Sequence, residues 1–502
     1  MAAAAAMFAV SSCINTDKTL GADFVPTNQD ITIKTVEFDL PVGQRLSDSL
    51  QTTVGNEITV GSITTEKFGT YNVGTALTIS PSVDSILWGG NPQFIDMSLT
   101  MILSSNQALS EDQKHIPQNI YVNQLTVELD STHVYCNSLR DADINGPSVC
   151  QGSYVYTGGD TLIIHFTKEF GEQMFKVGRE ALDSTELFCK EVYGLYFSTD
   201  PADPQAGSGR ISTFDVSESY VTLDYSSLPD GGERRRDTTA YFTLGDYSAL
   251  RRVNGGDKSF ECEDASESIL FEGLTGVKPY INGKKLKTLI NDWMEKEGID
   301  KDALIVAKAS FEFPFEYSGD PSQFDNYPSN LYITTRVRGS VYTVYSPISE
   351  IYSESYDDGS INRSLFCYRP DAVLLMQSFI NKDTEDITDQ DDIWIIPTIA
   401  YTTSSSSSSD YSDYYNYYNY YNSYYNPYSS YYGGYSGYGY GSYGYGYSDY
   451  YNYYNYYNYY NSSSSSGTTY YYTDTANYTF CTLNGTAAER HPKLKLTYTV
   501  LK

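Results

Sequence analysis

Histidine, cysteine and carboxylate side chains carry most protein chemistry, and in this chain carboxylates are abundant while histidines and cysteines are thinly and irregularly spread. The four histidines, His115, His133, His165 and His491, stand far apart, with no His-x-x-His pair and no Cys-x-x-Cys pair anywhere. Neither a zinc site nor a histidine-activated nucleophile is spelled out by such spacing. His165 lies in the apolar run Thr161 to Phe166 and is expected to be a core residue. No Gly-x-x-x-x-Gly-Lys-Ser/Thr loop occurs, and no dinucleotide fingerprint opens a helix after a strand, so phosphate-bearing cofactors have no cradle. The expectation is no cofactor, no catalytic residue and no enzyme.

The acidic stretch Asp383, Glu385, Asp386, Asp389, Asp391, Asp392 contains enough carboxylates for glycoside hydrolysis. That chemistry needs a set separation of roughly 5 to 9 Å, which a sequence does not show. In so acidic a chain the stretch reads as a solvated loop. Asp141-Ala142-Asp143-Ile144-Asn145-Gly146 imitates the opening of a calcium loop, with Asp141, Asp143 and Asn145 as oxygen ligands. Its twelfth position is Gly152, where a bidentate Glu would close the shell, so an Asx-rich turn is the competing reading. Cys136 and Cys150 bracket this loop and could be bridged in an oxidising envelope. Cys189, Cys262, Cys367 and Cys481 are pairs or buried thiols, and their connectivity is open. Trp88, beside Gly89-Gly90, is either an exposed platform for stacking a sugar or a core tryptophan at a strand end.

The most specific chemical feature is Cys13. Ala2 to Val10 are small or apolar and lead into Val10-Ser11-Ser12-Cys13, the pattern of a lipoprotein signal-peptide cleavage site. Cleavage before Cys13 and acylation of its thiol would supply the two or more chains that stable membrane anchoring requires. The usual positive n-region is missing, since no Lys or Arg precedes Cys13, which leaves the true translation start open. Ile14 rather than Asp follows the cysteine, so the expected destination is the outer membrane, with the body at the cell surface. No later segment approaches the roughly 18 to 20 apolar residues of a membrane-spanning helix, so the body is expected to be tethered.

The 63 acidic residues outnumber the 33 basic ones, giving a formal charge of -30. Such a surface repels a phosphate backbone, and nucleic acid is not an expected partner. Arg234-Arg235-Arg236 and Arg251-Arg252 lie among Gly, Asp and Asn and read as solvated loops, with anionic headgroups as the minor alternative. Seven cysteines in 502 residues exclude a disulfide-dense scaffold. Asp48-Ser49-Leu50, Asp84-Ser85-Ile86, Asp237-Thr238-Thr239 and Asp474-Thr475-Ala476 resemble short O-glycosylation motifs, of which only exposed copies would carry glycans.

The elements holding these residues are mostly strands. Ile31 to Thr78 alternates polar and apolar residues, as do Asp96 to Leu103, Asn123 to Leu129, Thr161 to Phe166 and Tyr220 to Tyr225. Ala303 to Phe313, Leu331 to Tyr345 and Lys493 to Val500 repeat the pattern in the second half. Helices are expected at Lys168 to Val177, Ser184 to Val192 and Lys284 to Glu295, the last with Leu286, Leu289, Ile290 and Trp293 on one core-facing stripe. The predicted fold is all-β: two β-sandwich or jelly-roll-like domains, a few short helices and a disordered tyrosine-rich insertion. The expected order is a signal peptide at 1–12, a tether at 13–30, a first β domain at 31–227 and a linker at 228–246. A second β domain follows at 247–403 and closes at 467–502, interrupted by a low-complexity insertion at 404–466. Tyr411 to Tyr460 holds 26 of the 52 tyrosines and no Lys or Arg. Such text does not pack a core, but its rings can stack and hydrogen-bond between molecules. Repeat expansion in a tolerant loop is the alternative reading.

Several segments line up with a known family: Leu20-Gly21-Ala22-Asp23-Phe24-Val25-Pro26, Phe68-Gly69-Thr70, Val83-Asp84-Ser85-Ile86 and Arg490-His491-Pro492-Lys493-Leu494-Lys495-Leu496-Thr497-Tyr498. Thr167-Lys168-Glu169-Phe170-Gly171 and Tyr193-Gly194-Leu195-Tyr196 extend the likeness through the first half. Together they resemble the domain-of-unknown-function family numbered four-two-seven-zero, made up of Bacteroidota surface-type lipoproteins. The resemblance implies secretion, a lipid anchor and a β-rich fold, and it supplies no catalytic residues. The expected role is structural, adhesive or in envelope assembly, with the membrane and other envelope proteins as partners. A surface glycan-binding lipoprotein is the alternative.

Overall fold

The structure is a computed structural model. It describes residues 33–46, 57–83, 86–129, 141–203, 207–229, 232–245, 251–255, 261–338, 343–346, 357–403, 468–474 and 477–501. The expected signal peptide and tether with Cys13, Cys136, and the insertion at 404–466 lie outside the described residues.

The chain is all-β, built from antiparallel sheets with a few short helices. The first strands are β1 (Lys34–Asp39), β2 (Val42–Leu46), β3 (Glu57–Thr65), β4 (Gly69–Leu77), β5 (Ile79–Pro81), β6 (Gly90–Ala108) and β7 (Gln118–Leu125). Next come β8 (Asn145–Ser148), β9 (Tyr154–Tyr156), β10 (Thr161–His165), β11 (Leu195–Thr199), β12 (Gly209–Leu228), β13 (Arg236–Leu244) and β14 (Arg251–Gly255). The second half adds β15 (Ser268–Glu272), β16 (Val277–Ile281), β17 (Leu304–Pro314), β18 (Leu331–Arg338), β19 (Thr343–Tyr345) and β20 (Asp358–Asn362). It closes with β21 (Cys367–Pro370), β22 (Ile393–Thr403), β23 (Thr468–Thr473), β24 (Phe480–Asn484) and β25 (Lys493–Val500). The helices are α1 (Asp141–Ile144), α2 (Lys168–Met174), α3 (Arg179–Leu182), α4 (Thr185–Glu191), α5 (Gly283–Glu297) and α6 (Val373–Asn381).

A twelve-stranded sheet runs β10-β6-β12-β3-β4-β11-β7-β8, with β5, β9, β13 and β14 joined to its members. Its core takes Met97, Leu99 and Met101 from β6, Val221 and Leu223 from β12, and Phe170, Met174 and Phe188 from α2 and α4. Long β12 changes partner along its length: Gly209–Asp215 pairs with β3, and Val221–Ser227 pairs with β13. The switch falls at an irregularity between Asp215 and Tyr220. There the Asp215 carboxylate accepts from Ser217 N at 2.7 Å, Ser217 Oγ at 2.5 Å and Glu218 N at 3.3 Å. Those bonds, the Ser217 hydroxyl foremost, hold the Asp215 carboxyl below its ordinary range. A bulge of this kind bends a strand out of one ladder into another.

The second core lies between the five-stranded sheet β1-β25-β17-β21-β20 and the sheet β19-β18-β22-β16-β2. Leu494, Leu496 and Tyr498 of β25 alternate with outward Lys493, Lys495 and Thr497 and meet Phe311, Ile333 and Ile395 in one cluster. Helix α5 covers this core. Asn282 Oδ1 accepts from Lys285 N at 2.9 Å at its start, and Gly298 ends it at φ 68°. Leu286, Ile290 and Met294 are buried, and Trp293 packs edge-on between Phe38 at 5.5 Å and Tyr498 at 4.9 Å. The predicted stripe is narrower than expected, because Leu289 stays exposed.

Two boundaries differ from the sequence expectation. β1 pairs with β25, Lys34 opposite Tyr498 through Asp39 opposite Lys493, and β2 pairs with β16. Residues 34–46 therefore belong to the second core, although the first domain was expected to start at 31. The segment expected as a linker, 228–246, contains β13, which pairs with β12 and β5. Alternation identifies a strand's buried face and leaves its partner unnamed, and for these strands the partners lie elsewhere.

Candidate functional site

The tyrosine-rich insertion enters and leaves through one hairpin. β22 and β23 are antiparallel, with Thr398 opposite Thr473 and the ladder continuing to Thr403 opposite Thr468. Residues 404–467 are thus an excursion from two directly facing positions of a sheet.

The base of this hairpin is built from a buried run. Ile393 and Ile395 of β22 enter the second core, while Trp394 and Ile396 turn to the opposite face and cluster with Tyr280 and Tyr345. The Arg336 guanidinium carbon lies 4.1 Å from the Trp394 ring centroid, and that of Arg45 lies 4.7 Å from it and 4.7 Å from Tyr280. Contacts of this type at partly exposed guanidinium groups contribute about 0.5–1 kcal/mol each. Asp392 accepts from Gly283 N at 2.9 Å and lies 3.5 Å from Arg45 Nη2, joining the start of β22 to α5 and β2. Burial raises the Asp392 carboxyl, against the Gly283 bond and the Arg45 charge.

The residues singled out from sequence take other positions. Trp88 is half-buried and packs edge-on against Phe175 at 5.0 Å and Tyr225 at 5.2 Å, at the margin of the first core. The imitation calcium loop is one helical turn, α1, followed by β8. Asn145 Oδ1 accepts from Asn123 Nδ2 at 2.6 Å, and the Asp141 side chain lies outside the described residues. Among the described residues, no group of three His, Cys, Asp or Glu is placed to hold a metal ion. Cys150, the possible partner of Cys136, is a free and buried thiol 3.5 Å from the Val122 carbonyl. Burial raises its pKa.

The acidic stretch is not all solvated loop. Asp391 and Asp392 are buried, Asp391 accepting from Lys382 Nζ and from Thr388 N at 2.8 Å. Nor are the arginine runs loose: Arg235 donates to Asn91 O at 2.7 Å and Ser226 O at 2.5 Å, and Arg251 and Arg252 lie in β14. Asp237 and Thr239 of the glycosylation-like triplet are exposed on β13.

His165 is half-exposed rather than core, with Nδ1 2.9 Å from Asp96 Oδ2. Ser98 stands opposite His165 in the ladder, which brings Asp, His and Ser into one neighbourhood. The Ser98 hydroxyl meets Thr222 Oγ1 at 3.1 Å, and His165 and Asp96 are 46% and 34% exposed. On an open sheet this is a solvent-exposed hydrogen bond, contributing at most about 1 kcal/mol.

Sequence reasoning missed the junction of the two cores. The Tyr71 and Tyr478 rings stack at 4.5 Å, Tyr71 Oη meets Thr275 Oγ1 at 3.1 Å, and Tyr478 N donates to Gln107 Oε1 at 2.7 Å. Beneath them Tyr478 Oη donates to buried Glu272, and the buried Lys278 ammonium donates to the carbonyls of Glu272, Leu274 and Gly276. Burial lowers the Lys278 pKa to about 7, with the Glu272 charge opposing. The available signal was weak: a lysine inside the otherwise apolar Val277–Ile281.

The chain matches no family model, no curated protein and no solved structure. The family resemblance therefore rests on the quoted motifs alone.

Proposed function

We propose that this protein is a lipid-anchored outer-membrane protein without chemistry of its own, whose β-sheet body holds a tyrosine-rich segment outward for adhesion or envelope assembly. The observation that carries this reading is the β22–β23 register. Because Thr403 and Thr468 face each other across the ladder, the intervening text adds reach without altering the sheet. Its composition supports contact with other molecules: 26 tyrosines between Tyr411 and Tyr460, and no Lys or Arg to interrupt them. The Val10-Ser11-Ser12-Cys13 pattern supports the anchor. Among the described residues, no helix is long and apolar enough to cross a membrane.

The test is protease treatment of intact cells followed by detection of the tyrosine-rich segment. Cleavage on intact cells is expected. Protection until the outer membrane is opened would place the body in the periplasm and defeat the surface part of the proposal.

A further inference from the structure

A cleft of about 430 Å³ runs along β20, lined by Asp357, Asp358, Ser360, Asn362, Arg363 and Arg369. Its volume falls within the range of small-molecule sites, whose walls are ordinarily apolar. These walls are mainly polar.

The turn between β20 and β21 sets the geometry. Phe366 adopts φ 52°, a strained conformation for an aromatic residue, and its ring stacks on Tyr317 at 5.2 Å with 11° between planes. Tyr317 stacks in turn on Phe324 at 5.6 Å, and the Arg363 guanidinium lies 5.0 Å over Phe324. Arg490 Nη2 donates to Leu365 O at 2.6 Å, and Asn362 Oδ1 accepts from Ser364 N and Leu365 N at 3.1 and 2.9 Å. Gly359, at φ 77°, passes so close to the Leu331 carbonyl that a Cβ would lie 1.9 Å from it. The cleft wall is therefore held in place before any ligand arrives, which lowers the ordering cost of binding.

Charge selects the ligand class. Two carboxylates, Asp357 and Asp358, and two guanidinium groups, Arg363 and Arg369, line the cleft. Behind them Lys308, 3.6 Å from Asp357, and Glu312, 3.4 Å from Arg369, offset each other. The cleft therefore requires no net charge of its occupant, and the chain's charge of -30 repels polyanions. Carboxylates only accept hydrogen bonds and guanidinium groups only donate them, whereas a hydroxyl does both. Paired hydroxyls on adjacent carbons match the forked geometry of either group.

We propose that the β20 cleft binds a short stretch of a neutral carbohydrate, its hydroxyls shared between Asp358, Asn362, Arg363 and Arg369. This site goes beyond the anchoring role and stands whether or not Cys13 is acylated.

The experiment applies the full chain to a glycan array carrying neutral glucans, mannans, galactans and chito-oligosaccharides beside sialylated and sulfated glycans, with triglycine as a zwitterionic control. Retention on at least one neutral glycan is expected. Arg363→Lys, which keeps the charge but loses the planar fork, and Asp358→Asn, which keeps the shape but loses the charge, should each weaken that binding about ten-fold, with unchanged unfolding midpoints. Independently of any variant, the bound glycan should protect Arg363 from phenylglyoxal. Retention on acidic glycans alone, on triglycine alone or on nothing overturns the assignment. So does neutral-glycan binding that neither substitution weakens and that leaves Arg363 open to the reagent.

Discussion

The Tyr478 hydroxyl donates to Glu272 Oε1 at 2.6 Å while the Tyr478 ring stacks on Tyr71, so one side chain satisfies a buried carboxylate and joins two hydrophobic cores. Tyr478→Phe keeps the stack and removes the bond. A hydrogen bond to a charged group is worth about 1.5–3 kcal/mol, and that loss is expected as a lower urea midpoint. An unchanged midpoint would mean that Glu272 is satisfied without Tyr478.

Lys278 gives this junction a pH dependence. Its folded pKa, about 7, lies below the ordinary 10.5, so between these values the unfolded chain binds the proton and the folded chain does not. Stability contributed by this group therefore rises with pH from about 7 upward, by no more than about 1.4 kcal/mol per pH unit. Between pH 7 and 9 the slope should be steeper in the parent than in Lys278→Met. Above pH 9 the raised Cys367 thiol, at about 11, and the Tyr156 and Tyr327 hydroxyls, each at about 12, act in the opposite direction. Equal slopes in the two proteins would show that Lys278 keeps its proton.

Trp394 is fully buried between Arg45 and Arg336. Trp394→Ala should cost about 3–5 kcal/mol, because the cavity lies where β22 meets β16 and β18. Chemical denaturation followed by tyrosine fluorescence would measure it. A loss under about 1 kcal/mol would indicate that the neighbouring rings collapse into the space.

Replacing residues 404–467 with Asn-Gly should leave a folded protein, since a two-residue turn can join facing strand ends. Loop closure becomes easier, with a gain of up to roughly 3 kcal/mol from the shorter connection. Cell adherence should fall while thermal unfolding stays cooperative. Unchanged adherence would assign adhesion elsewhere.

Cys13→Ala should move the protein from the outer-membrane fraction to the soluble fraction. Retention at high salt would contradict the lipid anchor.

By itself the sequence determined the all-β class and many of the strands. Lys493 to Val500 alternates so regularly that β25 coincides with the expected segment, and helices α2, α4 and α5 fall where spacing and caps place them. These features are local, set by a side-chain period of two or 3.6 residues. Tertiary structure decided the partners: β1 against β25, β2 against β16, and β13 on β12 rather than in a linker. It also decided which polar groups went inside, burying Lys278, Glu272, Asp391 and Asp392 while leaving Leu289 and His165 partly in water. A period tells each residue which side of its strand it occupies. Whether that side meets a core, a second sheet, a cleft or solvent depends on segments hundreds of positions away, whose packing settles only when the whole chain has folded.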